Sequence, residues 1–149
     1  MTPLEQRIDE DTIKAMKEKR SEELMVLRQL RSALKNAAID AREPLTEEAA
    51  LKVIMREHKK LNDSLNDFTK AGRDDLASAA QNEILVVKQY LPESLSSEEL
   101  RTIIEKVYND LQERGVPIQK GPLMGAVMKE VGVRAQGSDV APIIDQLIN

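Results

Sequence analysis

The chain has no cysteine, no tryptophan and one histidine, and its aromatic residues are limited to Phe68, Tyr90 and Tyr108. Without cysteine, disulfides and thiolate metal sites are excluded. A Ser-His-Asp arrangement would have to run through His58, which falls on the apolar stripe of a helical pattern, where a packing histidine is expected. There is no HExxH, no paired histidine and no Asp/Glu loop for a metal. Gly121-x-x-x-Gly125 lacks the Lys-Ser/Thr ending of a P-loop and has no strand before it. No apolar stretch approaches the roughly 20 residues a membrane span needs. The opening MTPLEQRIDED lacks the apolar run of a signal peptide. These absences predict a soluble cytoplasmic protein without metal, cofactor or membrane partner.

What is present favours helix. Ala, Leu, Glu, Lys, Gln and Arg dominate, and the core must be built from Leu, Ile, Val, Ala and Met. The 149 residues suffice for one domain or two small helical lobes. No segment alternates as a strand bounded by hairpin turns. The net charge of −4 argues against non-specific nucleic-acid binding over the whole surface. It leaves room for local sites: Lys14 to Lys35 holds seven basic residues against Glu18, Glu22 and Glu23.

In chain order, Thr2-Pro3-Leu4-Glu5 reads as a capping box for a first helix, with Leu4, Ile8 and Ala15 inward and Ile13 or Met16 beside them. Ser21 is the expected cap of a second helix with Leu27, Leu30, Leu34, Ala37 and Ala41 as its stripe, widened by Met25 and Val26 and stopped by Pro44. Arg28, Arg31 and Lys35 lie outside that stripe. Thr46 begins a third and longest helix (Ala50, Ile54, His58, Leu61, Leu65, Phe68) that Gly72 terminates. Asp74 or Asp75 begins a fourth, with Leu76, Ala80, Ile84, Val87 and Leu91 on one face. Pro92 to Leu95 is the best boundary. Ser96 to Glu99 is a capping box for a fifth helix with Leu100, Ile103, Ile104, Val107, Tyr108 and Leu111, ended by Gly115. A sixth runs from about Pro122 to Val131, and Ser138 is the expected cap of a seventh. The prediction is all-α, with a four-helix lobe over 1–92 and a small three-helix lobe over 96–149.

The unusual stretch is Gly121 to Ser138, GPLMGAVMKEVGVRAQGS. Gly125 inside an apolar helical run costs about 1 kcal/mol relative to Ala. The reasons open to it are close helix packing and close approach of the backbone to a ligand. Arg134 sits on a glycine-bracketed turn between two helix ends, where free N–H groups, Arg134 and Lys129 could meet a phosphate backbone. Its alternative role is to cap the sixth helix's last carbonyls.

Leu123-Met124-Gly125-Ala126-Val127-Met128-Lys129, the basic turn and the apolar last helix resemble the tail of the GatB/YqeY family. Leu27 to Asn36, Leu45 to Glu48, Phe68 to Leu76 and Tyr90 to Ser96 resemble stand-alone YqeY proteins, so the resemblance covers essentially the whole chain. It implies two helical lobes. It also implies kinship with the tail of the B subunit of the tRNA-dependent amidotransferase, which contacts the outer corner of tRNA while glutaminase and kinase chemistry lie elsewhere. Gly125, Lys129, Arg134, Ala135 and Gly137 match the motif. In the turn, where the family shows Gly-Lys-Ala and Asp or Asn, this chain has Val133, Arg134, Ala135 and Gln136; Arg keeps the charge and adds a fork suited to phosphate. The expectation is a non-catalytic tRNA-binding protein. Gly125, Lys129, Arg134, Gln136 and Gly137 form its site, with Arg28, Arg31 and Lys35 as a second basic surface. A family label of carbon–nitrogen ligase with glutamine as donor would be inherited from the larger enzyme. The alternatives are a protein-docking module and an accessory component of an amidotransferase.

Overall fold

The computed structural model describes all of residues 1–149. It contains seven α-helices, one 3-10 turn and no strand. The chain divides into two compact units, Met1–Leu91 and Pro92–Asn149, and each has its own apolar cluster.

The first unit holds α1 (Pro3–Lys17), α2 (Ser21–Ala41), α3 (Glu47–Lys70) and α4 (Asp74–Lys88). Thr2 Oγ1 caps α1 by accepting from the Glu5 N–H at 3.2 Å. The other half of the expected box does not form; the Glu47 carboxylate instead takes the free Leu4 N–H at 3.4 Å. The buried line of α1 is Leu4, Ile8, Thr12 and Ala15. Ile13 and Met16, expected beside it, are half exposed. Thr12 takes the inward place because its Oγ1 donates to the Ile8 carbonyl at 2.6 Å, which satisfies the buried hydroxyl. Lys19, at φ 56°, turns the chain so that helical geometry starts at Ser21; Arg20, rather than Ser21, holds the cap position. Val26, Leu27, Leu30 and Leu34 are the buried face of α2, while Met25 and Ala41 face outward. Arg42 closes α2 in the left-handed region, two residues before Pro44.

Thr46 caps α3 as expected, its Oγ1 accepting from the Ala49 N–H at 3.1 Å. Ala50, Val53 and Ile54 anchor α3 in the core, and Leu61, Leu65 and Phe68 further on are half-buried. Gly72, at φ 71°, makes the turn into α4. Ala80 and Val87 are the buried residues of α4, whereas Leu76 stays at the surface.

The second unit holds α5 (Ser97–Glu113), α6 (Lys120–Val131), a 3-10 turn (Gly132–Arg134) and α7 (Gly137–Ile148). Ser96 and Glu99 form the full capping box, with Glu99 N–H to Ser96 Oγ at 3.1 Å and Ser96 N–H to Glu99 Oε2 at 3.3 Å. Leu100, Ile104, Leu123, Val127, Val131, Val140 and Ile144 build the core. Helix α6 starts at Lys120, so Pro122 lies third in it, still within the turn whose N–H groups lack intrahelical acceptors. Helix α7 starts at Gly137 with Gln136, not Ser138, at the cap, because the Asp139 carboxylate folds back on the Gln136 N–H at 3.3 Å. Pro142 is tolerated inside α7.

Candidate functional site

The end of α6, the 3-10 turn and the start of α7 place four of the five expected site residues on consecutive short segments, and Gly125 one turn before them. Gly125 and Lys129 are four residues apart on α6, hence on one face, and both are exposed. A Cβ built on Gly125 would meet nothing within 4 Å. Close helix packing is therefore not the reason for this glycine. Gly121 is equally open. Gly137 differs: its Cβ would lie 3.2 Å from Met124 Cε, the far end of a flexible side chain.

Arg134 has an exposed side chain directed at the C-terminal carbonyls of α6. Its Nε donates to Val131 O at 3.4 Å and its Nη2 to Glu130 O at 3.5 Å, both long and weak bonds. Its own carbonyl accepts the Leu95 N–H at 3.0 Å, which ties the turn to the entry of the unit. Neither Lys129 nor Arg134 forms an ion pair. Ala135, extended and buried, pins the turn to the core. Gln136 is exposed at the cap of α7. The Asp139 carboxylate occupies that helix end, so the first turn of α7 is not a free anion site. Charge here rests on the two side chains instead.

Arg28, Arg31 and Lys35 lie along α2 and line a cleft of about 460 Å³ together with Glu5, Asp9, Leu34 and Leu45. Arg31 is spoken for: its Nε pairs with Asp9 Oδ1 at 2.8 Å. Arg28 and Lys35 are free of ion pairs.

His58 is half-buried beside Asn62, whose side-chain amide donates to the His58 carbonyl at 3.1 Å. Burial, and then the charge of Lys88, lowers its pKa below the ordinary 6.5. Sequence reasoning missed Tyr90, which sits in the turn after α4. Its hydroxyl donates to Asp11 Oδ2 at 2.5 Å and its ring lies under the Arg7 guanidinium, 4.7 Å to the centroid. Burial and the Asp11 carboxylate push the phenol well above its usual pKa. Residues 79 positions apart make this contact, so no local pattern could have shown it. No group of three or more His, Cys, Asp or Glu could hold a metal ion. No helix is long and apolar enough to cross a membrane.

Seven helices in two compact units, with no strand, define an all-helical protein of two units. Residues 5–148 match the family described as Yqey-like protein, and the chain belongs to it. It is similar to altered inheritance of mitochondria protein 41, mitochondrial, of Vanderwaltozyma polyspora, at 32% identity over 111 residues, or 72% of this chain and 60% of that protein. The protein of the same name from Candida glabrata is 31% identical over 124 residues, 80% of this chain and 68% of that one. That from Pyrenophora tritici-repentis is 26% identical over 135 residues, 89% and 74%. The chain thus spans about three fifths of the length of the first of these relatives. Their names correct the cytoplasmic location expected from the sequence: each relative is a mitochondrial protein by name, which points away from the cytoplasm. That expectation rested on missing apolar segments, which say nothing about which aqueous compartment a chain occupies.

Proposed function

We propose that the chain is a non-catalytic RNA-binding protein whose ligand is tRNA, held at its elbow by the turn after α6. The observation that carries this reading is Gly125. It lowers the stability of α6 without serving any contact inside the molecule, and it shares a face with the unpaired Lys129. A helix face stripped to backbone beside a free ammonium suits close approach of a phosphate–sugar strand. Lys129 and Arg134 contact phosphates, Gly137 keeps the start of α7 low, and Gln136 reaches a ribose or base edge. Arg28 and Lys35, on the first unit, supply a second contact. Recognition is by shape, with few bases read. The scarcity of aromatic side chains argues against single-stranded RNA, which needs stacking platforms.

The family resemblance also supports a role beside a tRNA-dependent amidotransferase, in which this chain presents tRNA and other subunits carry out the amide chemistry. Amide formation by the purified chain alone would overturn the non-catalytic reading.

The test is tRNA binding at low and moderate salt for wild type and a Lys129→Ala, Arg134→Ala double variant. Wild type should bind in a salt-sensitive way, and the variant should lose at least about tenfold in affinity, near 1.4 kcal/mol, with its helical circular dichroism intact. No binding by wild type at low salt would sink the proposal.

A further inference from the structure

We propose that a cleft between α2 and α4 docks a basic amphipathic helix of a partner protein. The cleft is about 570 Å³ in volume and is lined by the first two turns of α2 and the outer face of α4. Val26 and Val86 form its floor; Val26 is buried in the first unit's core and Val86 packs against it. Met25 lies on the wall and is 61% exposed. A large apolar side chain left in water beside an apolar floor, with carboxylates around it, is the composition of a contact surface. Methionine adapts its shape to what it meets.

The shape selects a helix. Both walls are helices and the chain has no strand, so there is no sheet edge for an extended peptide to join. A groove between two packed helices accepts the side-chain ridge of a third. The charge selects a basic one. Glu22, Glu23 and Glu83 stand in the lining, and Arg20 is its one cation. Arg20 is consumed by Glu18 at 2.9 Å and by Glu23. Glu22 and Glu83 have no ion-pair partner. They are placed to meet lysine or arginine flanking the apolar anchors of an incoming helix, which fixes its register and excludes acidic helices. This cleft is built from residues of the first unit alone and shares none with the turn after α6, so it can serve an RNA-binding chain or stand without one.

The probe is a synthetic helical peptide of roughly 18 residues, with leucine on one face and lysine on the other, and a twin carrying glutamate for lysine. Titration into the isotope-labelled 149-residue chain should shift the amides of Met25, Val26, Asn82 and Val86 with the lysine peptide and leave them in place with its twin. In a Glu22→Lys, Glu83→Lys variant the lysine peptide should bind about tenfold more weakly and the glutamate peptide about tenfold more tightly than to wild type. Met25→Ser, which leaves charge untouched, should weaken the lysine peptide severalfold. Binding that ignores both variants, shifts that map elsewhere, or no binding at all would each overturn the proposal. So would a wild-type dimer in sedimentation that Met25→Ser dissociates, since the cleft would then belong to a second copy.

Discussion

Under the proposed function, Gly125 separates stability from binding at a single position. Nothing packs on it and its backbone is helical, so Gly125→Ala should stabilise the second unit by about 0.5–1 kcal/mol, chiefly by restricting the unfolded chain. The same methyl should stand between α6 and a phosphate strand. Denaturant unfolding and tRNA titration on one preparation check both halves; a stabilised variant with undiminished affinity would remove the case for close approach. The glycine and the two cations could be picked out from the sequence. That no side chain covers Gly125 could not, because the choice between packing and exposure depends on how α5 and α7 lie across α6.

Tyr90 and His58 are the other residues whose surroundings set their behaviour. Tyr90→Phe removes a hydrogen bond to a half-buried carboxylate and should cost about 1–2 kcal/mol, read from the denaturation midpoint. For His58, burial and Lys88 favour the neutral ring in the folded protein. The unfolded chain therefore binds the proton more readily. Stability from this residue is complete above the ordinary pKa of 6.5 and is lost as pH falls through the lower folded value. Its imidazole resonances should titrate below 6.5, and His58→Gln should flatten the fall in stability over that window.

At the scale of the element, the helices were legible where a cap and a stripe agreed. Thr46 and Ser96 cap α3 and α5 as their sequences require. Ser96→Ala, which breaks both halves of the α5 box, should lower stability by about 1 kcal/mol. Hydrogen exchange should place the loss in the first turn of α5. The sequence misled where tertiary contacts outranked local preference. Ser21 and Ser138 are good caps, yet Lys19's left-handed turn and Asp139's return to the Gln136 amide moved both helix starts upstream. Thr12 displaced Ile13 and Met16 from the inward face of α1 because its hydroxyl found a carbonyl four residues back. Arg134 illustrates the limit for the candidate site: its residue type suits both phosphate binding and helix capping, and the sequence alone held no geometry to rank them.

Over the whole molecule, charge is the quantity that function must work around. The chain is net acidic, so any RNA contact is local and its salt dependence counts the cations engaged. With Lys129 and Arg134 alone, a plot of log K against log salt should have a slope of roughly −2. If Arg28 and Lys35 also touch phosphate, the slope should approach roughly −4. A slope near zero would mean that no phosphate is gripped. Paired measurements on an Arg28→Ala, Lys35→Ala variant would show whether the second basic surface takes part, a question that composition raised and that the Arg31–Asp9 pair narrows to two residues.

The Arg134 tether has one more consequence. Its guanidinium leans on the last carbonyls of α6, while its own carbonyl holds the amide of Leu95, at the point where the chain enters the second unit. A ligand that draws the guanidinium away uncaps α6 and tugs on the 3-10 turn that carries the Leu95 bond. The Leu95 amide is thus a reporter wired into the turn: its exchange with solvent should change when the turn is occupied, with no label attached to the protein or its ligand.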